Sequence, residues 1–111
     1  MRRSRYEPLV QRHRIEAHDE GGTARVVLGG EIDISSVRHV RAAIGDFIGL
    51  DDIRTIELDL ADVTFIDSAG IGVVIGSAHR AKGAGQRLEI VAASQAVQRV
   101  LDITGVSRLV S

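Results

Sequence analysis

The sequence predicts an α/β fold in which a single mixed β-sheet packs against helices, and three observations carry that expectation. An alternating segment from Arg12 runs into Asp19-Glu20-Gly21-Gly22 and then a second extended run, which is the pattern of a β-hairpin. Beyond it, stretches with apolar residues at helical spacing alternate with short β-branched runs in the order helix, strand, helix, strand, helix. Strands separated by helices pair in parallel through crossovers, so the last three strands are expected to lie parallel in the sheet that the hairpin begins.

Residues 1–11 hold Arg2, Arg3 and Arg5 against Glu7 and read as a flexible basic tail, leaving 12–111 as the folded domain. Arg12 to His18 reads as an edge strand with Ile15 and Ala17 on one side. Thr23 to Leu28 is its hairpin partner, closed by Gly29-Gly30-Glu31-Ile32-Asp33. Ser35 or Ser36 is expected to cap a first helix whose Val37, Val40, Ile44, Phe47 and Ile48 recur at helical spacing, with Arg38, His39, Arg41 and Asp46 outward. Ile56, Leu58 and Leu60 share one side of the next strand, and Val63 to Ile66 is also extended. Ile71 to Ala81 is helical in composition, apolar almost all round at its start, and ends at Lys82-Gly83, so it is expected to be a buried central helix. Gly72 and Gly76 lie on one of its faces and are expected to let it approach the sheet closely. Leu88 to Val91 is the last strand, and Ser94 caps a third helix with Val97, Val100, Leu101 and Thr104 inward and Gly105 at its end.

Composition narrows the function classes. A chain of 111 residues is one domain of ordinary size, able to bury roughly 65% of its unfolded surface without a disulfide or metal. It contains no cysteine, which excludes disulfides, thiolate metal sites and cysteine nucleophiles. The net charge of −1 and only three aromatic residues, Tyr6, Phe47 and Phe65, argue against nucleic acid and anionic membrane as partners. No apolar run is long enough to span a bilayer, and none follows Arg2-Arg3 as a signal sequence requires. His13 and His18 point to opposite sides of a strand while His39 and His79 lie on separate helices, so no histidine pair has metal-ligand spacing and all four read as surface residues. No metal and no cofactor is expected.

The segment Ile66-Asp67-Ser68-Ala69-Gly70-Ile71-Gly72 is the most informative in the chain, because it sets a serine where an extended stretch becomes a helix. A serine there can be a helix cap, or its hydroxyl can be modified or read by a partner. Functional residues of parallel sheets collect beyond the carboxyl ends of the strands, and those ends are Gly30 to Asp33 and Asp67 to Gly70. If the two strands are neighbours, Asp33 and Ser68 share one edge. A serine hydrolase is the first enzyme to test, and it fails: Ile66 stands where a nucleophile elbow needs glycine, and His79 precedes Asp102 instead of following it. Gly83-Ala84-Gly85 leads from helix to strand, the wrong order for a phosphate cradle.

Gly30-Glu31-Ile32-Asp33, Asp59 with Val63-x-Phe65-x-Asp67-Ser68-x-Gly70-Ile71, Ser94-x-x-Val97-x-Arg99-x-Leu101 and Gly105 together resemble the STAS domain, in particular the single-domain anti-sigma factor antagonists of bacteria. The resemblance covers roughly residues 12–111. It implies a cytoplasmic binding protein with no enzymatic activity, monomeric or weakly dimeric, that works by partner switching in transcription regulation. Its partners would be an anti-sigma factor with serine kinase activity and a serine phosphatase. The unphosphorylated form would bind the kinase and release the sigma factor, and phosphorylation would switch binding off. By position Ser68 matches the phosphoacceptor, with Asp33 and Asp67 as the acidic residues beside it and Glu31, Ala69, Gly70 and Ile71 as its surroundings. Ala69 departs from the second serine of many members, which makes Ser68 the sole acceptor in the loop. Two alternatives stand beside this reading: a stressosome, lipid-transport or anion-transporter-type STAS module, and a small enzyme or nucleotide-binding protein.

Overall fold

In the computed structural model, which describes residues 4–7 and 13–105, the chain runs β1 (Ser4–Glu7), β2 (His13–Glu20), β3 (Thr23–Ile32), α1 (Val37–Gly45), β4 (Thr55–Ile66), α2 (Ser68–Gly83), β5 (Arg87–Ala93) and α3 (Gln95–Thr104). The strands form one sheet in the order β1-β2-β3-β4-β5. β1, β2 and β3 pair antiparallel, whereas β3, β4 and β5 pair parallel, so the expected mixed sheet is present. The hairpin turn is tighter than expected. Asp19 and Glu20 remain in β2, Glu20 pairs with Thr23, and Gly21 and Gly22 alone make the turn with φ of 63° and 86°. Two consecutive positive φ angles define a type I′ turn, which matches the twist of the flanking strands and suits glycine.

Of the stretch expected as a tail, residues 4–7 form β1; residues 1–3 and 8–12 lie outside the described residues. β1 takes the outer edge that the sequence assigns to the Arg12–His18 strand, pairing Ser4 with His18 and Glu7 with Ile15. An exposed edge leaves a row of unpaired N–H and C=O groups, and β1 satisfies those of β2.

Alternation along the strands divides the sheet into two faces. Ile15, Ala17, Ala24, Val26, Leu28, Ile56, Leu58, Leu60 and Leu88 are buried on one, where the helices supply Val40, Ile44, Val73, Val74, Ala78 and Ala81 to the same core. The intervening residues form ion pairs across and along the strands, among them Arg14–Asp62 at 3.0 Å, Arg25–Glu57 at 3.5 Å and Arg87–Glu89 at 2.7 Å. Such solvated pairs add little stability each, so the burial of the apolar face is what holds the sheet to the helices.

Several local expectations are corrected. Ser36 precedes α1 but its hydroxyl makes no cap; it is fully buried and accepts from the Asp33 N–H at 2.9 Å while donating toward the Glu31 and Asp33 carbonyls. It fastens the end of β3 instead of the start of α1. Gly72 and Gly76 do not approach the sheet: both are exposed, and a Cβ at either would meet nothing within 4 Å. Glycine raises the apolar count of a helix without supplying apolar surface, so α2 is buried on one side only. Thr104 is exposed, its hydroxyl donating to the Val100 carbonyl at 2.8 Å, a common resolution for a threonine one turn on. His13 is not a surface residue. It shares the buried side of β2 with Ile15 and Ala17, is 6% exposed, and stacks on His39 of α1 with ring centroids 5.5 Å apart.

Gln86, buried between α2 and β5, was not singled out by the sequence. Its amide nitrogen donates to the carbonyls of Phe47 at 3.0 Å and Ile53 at 2.9 Å, and its oxygen accepts from the Gly49 N–H at 3.1 Å, tying down the loop between α1 and β4. Gln86→Leu keeps the volume but strands those buried groups, so it is expected to cost about 2 kcal/mol or more, read as a lower denaturant midpoint. An unchanged midpoint would show that the loop closes without this side chain.

Candidate functional site

The parallel pairing of β3 with β4 places Ile32 opposite Ile66, so the residues that follow each of them, Asp33 and Asp67, emerge side by side at one edge of the sheet. Neighbouring strands are about 4.8 Å apart, which puts the two turns in contact. The pairing continues one step beyond β4, where the Asp67 N–H donates to the Ile32 carbonyl at 3.2 Å. The expectation that Asp33 and Ser68 share an edge therefore holds.

Each aspartate organises its own turn. An Asp33 carboxylate oxygen accepts from the Ser35 N–H at 2.9 Å and the Ser35 hydroxyl at 2.6 Å, while the Asp33 carbonyl accepts from the N–H groups of Ser36 and Val37, both at 3.0 Å. Asp67 is the N-cap of α2: its backbone is extended, and one carboxylate oxygen accepts from the Ala69 N–H at 2.9 Å and the Gly70 N–H at 3.1 Å. Two N–H groups that the first helical turn leaves unpaired are thus satisfied by Asp67.

Capping is therefore not the role of the Ser68 side chain. Ser68 is the first residue of α2, one position past the cap; it is exposed, and its side chain forms no hydrogen bond with any described residue. The capping role has gone to the aspartate, whose carboxylate is the stronger acceptor. Ser68 is left with an accessible hydroxyl at the positive end of a helix dipole.

Gly70 is where α2 meets the sheet. A Cβ there would lie 2.7 Å from Ile66 Cγ1, 3.0 Å from Ile32 Cγ2 and 3.1 Å from the Ile32 carbonyl oxygen. The absence of a side chain lets the helix start directly over the ends of β3 and β4, which sets the height at which Ser68 projects. Ile71 is 7% exposed and anchors this turn in the core. Glu31 lies opposite Phe65 in the β3–β4 register, and Ala69 is half-buried beside Ser68. In the two segments that lead into this edge, two large apolar side chains stand in solvent, Ile34 at 79% and Phe65 at 48% exposure. The first follows Asp33 and the second precedes Asp67 by two positions; Phe65 belongs to the motif in the sequence, whereas Ile34 falls outside every periodic run and gives no such signal.

His79 and Asp102, the residues weighed for a hydrolytic triad, stand elsewhere on the helices. His79 lies eleven residues along α2, about 16 Å along the helix axis, and Asp102 on α3 is bound by the Gln98 amide at 2.8 Å. Among the described residues no group of three or more histidines and carboxylates is placed to hold a metal ion, and no helix is long and apolar enough to cross a membrane.

The family model described as "Mlab, STAS domain" matches residues 15–111. An anti-sigma-B factor antagonist of Staphylococcus epidermidis is 27% identical over 84 residues, covering 76% of this chain and 77% of that protein. Among solved structures, the anti-sigma factor antagonist SpoIIAA in its unphosphorylated form superposes with a TM-score of 0.70 at 23% identity, over 96% of this chain and 84% of that one. The phosphorylated form of SpoIIAA, a Bacillus cell fate determinant, superposes with a TM-score of 0.66 at 22% identity, over 96% and 87%. At these identities the two structures establish a common fold.

Proposed function

This chain belongs to the STAS domain family, and on that footing we propose that it is an anti-sigma factor antagonist, switched by phosphorylation of Ser68. The observation that carries this reading is the accessible hydroxyl: Asp67, not Ser68, caps α2, and the exposed Ser68 side chain forms no hydrogen bond with a described residue. The similarity to anti-sigma factor antagonists and to a fold solved in both phosphorylation states supports it.

In this reading the partner is an anti-sigma factor that is also a serine kinase. The unphosphorylated antagonist docks through the edge that carries Asp33, Asp67, Ser68 and Ala69, together with the exposed Ile34 and Phe65 of the adjoining segments, and the sigma factor is released. Exposed apolar side chains with a polar surround are what a partner buries. Glu31, Gly70 and Ile71 act beneath this edge, by shaping the two turns. A phosphoryl group on Ser68 adds a charge of about −1.5 to −2 where the helix N-terminus tolerates it, so the fold survives. A partner covering the same point would have to bury that charge beside two aspartates, and dissociates. A serine phosphatase resets the cycle.

The test is phosphotransfer with the kinase present and absent. Incubated with ATP and magnesium alone, the chain is expected to keep its mass, because no group of described residues is placed to hold the metal ion of a nucleotide; with the anti-sigma kinase added, one phosphoryl group is expected on Ser68 by mass spectrometry. A phosphorylated product without kinase, or modification confined to another residue, defeats the proposal.

A further inference from the structure

Ser68 begins a stripe along the solvent side of α2, continued at four-residue steps by Gly72, Gly76 and Arg80, all exposed. A step of four residues overshoots a full turn by about 40°, so the stripe is a track that climbs about 18 Å along α2 while winding gradually around it. Where it meets α1 it forms the floor of an open cavity of about 370 Å³, lined by Arg41, Gly72, Val73, Gly76, Ser77 and Arg80. The two glycines make the floor: a side chain at either would project into open space.

The charge on these helices departs from that of the chain. α1 and α2 carry Arg38, Arg41, Arg80 and Lys82 and no carboxylate, in a protein whose net charge is −1. Arg41 and Arg80 flank the groove, and neither forms an ion pair with a described residue; Arg80 only approaches the buried Ser77 hydroxyl, at 3.4 Å. Arg14, Arg25 and Arg87 on the sheet are matched by carboxylates, whereas Arg38 of α1, like Arg41 and Arg80, forms no ion pair with a described residue. Two unmatched guanidinium groups over a side-chain-free floor suit a backbone that approaches closely and carries carboxylates.

We propose that the α1–α2 groove receives a carboxylate-bearing helix of the same protein partner that docks over Ser68. The proposal rests on the partner-binding reading above and extends its surface from the phosphorylation edge to Arg80. Ser68 and Arg80 are about 18 Å apart along the axis, beyond the screening length of about 8 Å at physiological salt. The arginines therefore anchor the partner without neutralising a phosphate on Ser68, and anchor and switch act separately.

The test uses the full chain in two arms. In the first, nitrogen-15-labelled protein is titrated with a capped helical peptide bearing glutamates four residues apart. Amide shifts are expected at Arg41, Gly72, Gly76, Ser77 and Arg80, and are expected to vanish in Arg41→Gln/Arg80→Gln. Shifts located elsewhere, or unaffected by the double substitution, overturn the proposal; so does the same pattern from inorganic phosphate alone, which would make the groove a free-anion site. In the second arm, affinity is measured for the anti-sigma kinase. Arg41→Gln/Arg80→Gln and, separately, Gly76→Leu, which fills the groove from an open position, are each expected to weaken binding about tenfold or more. Ser68→Asp is expected to weaken the double variant by the same further factor as wild type. Wild-type affinity in both groove variants overturns the proposal and leaves the Ser68 switch standing. Equal binding of Ser68→Ala and Ser68→Asp defeats the switch instead, and the peptide arm then decides the groove by itself.

Discussion

Ser68→Asp is expected to bind the anti-sigma kinase at least about a hundredfold more weakly than Ser68→Ala, while both variants fold as wild type does. Aspartate adds a charge at the point the partner covers, beside Asp33 and Asp67, and burying a charge unpaired or beside like charges costs several kcal/mol. About 3 kcal/mol is already more than a hundredfold in affinity. Alanine removes the acceptor and adds no charge, so Ser68→Ala should bind and stay insensitive to ATP. Stability separates this from a structural explanation. Because Asp67 supplies the cap, loss of the Ser68 hydroxyl should move the unfolding free energy by less than about 1 kcal/mol, against up to about 2 for loss of a true capping side chain. Aspartate in the first turn should be tolerated equally well, since the helix dipole favours it. Equal affinities for the two variants, with both folds intact, would defeat the phosphoswitch.

Gly70→Val is expected to lower stability by about 3 kcal/mol or more. The first added carbon alone would sit 2.7 Å from Ile66 Cγ1 and 3.1 Å from the Ile32 carbonyl, and Ile66 and Ile32 are themselves 7% and 1% exposed. Side chains so enclosed have little room to yield, and overpacking a close-packed interior costs typically 1–3 kcal/mol before the branched methyls of valine are placed. Gly70→Ala should therefore be intermediate. The three denaturant midpoints should fall in the order glycine, alanine, valine; coincident midpoints would show that α2 is free to lift from the sheet.

The contrast between Gly70 and the pair Gly72 and Gly76 shows where sequence reading reaches its limit. All three are glycines of one helix, and spacing alone points to the pair as the close contact. Which of them faces the sheet depends on where the helix begins, and that was decided by one residue: Asp67 took the cap and put Ser68 inside the helix. The rotation that buries Gly70 under Ile32 and Ile66 turns Gly72 and Gly76 outward. His13 is a different case, since its place two residues before Ile15 on an alternating strand already marks it for the buried face; its stacking on His39 needed α1 to be laid across that face.

By itself the sequence determined the order of strands and helices from β2 onward, a hairpin turning within Asp19 to Gly22, the parallel pairing of the last three strands, the Ser94 cap and the edge shared by Asp33 and Ser68, while the edge strand β1 fell in the stretch that reads as a tail. Each is set by apolar periodicity or turn chemistry within a few residues, or by the rule that helices link parallel strands. The tertiary structure alone decided that Asp67 caps α2, that Ser36 fastens β3, that Gln86 holds the loop between α1 and β4, and that Arg41 and Arg80 flank one groove. These depend on polar atoms and charges finding, or failing to find, partners across gaps of up to 39 residues, or on choosing among near-equivalent neighbours. A hydrogen bond is worth little until packing has removed the competing water, so only the assembled core could select them.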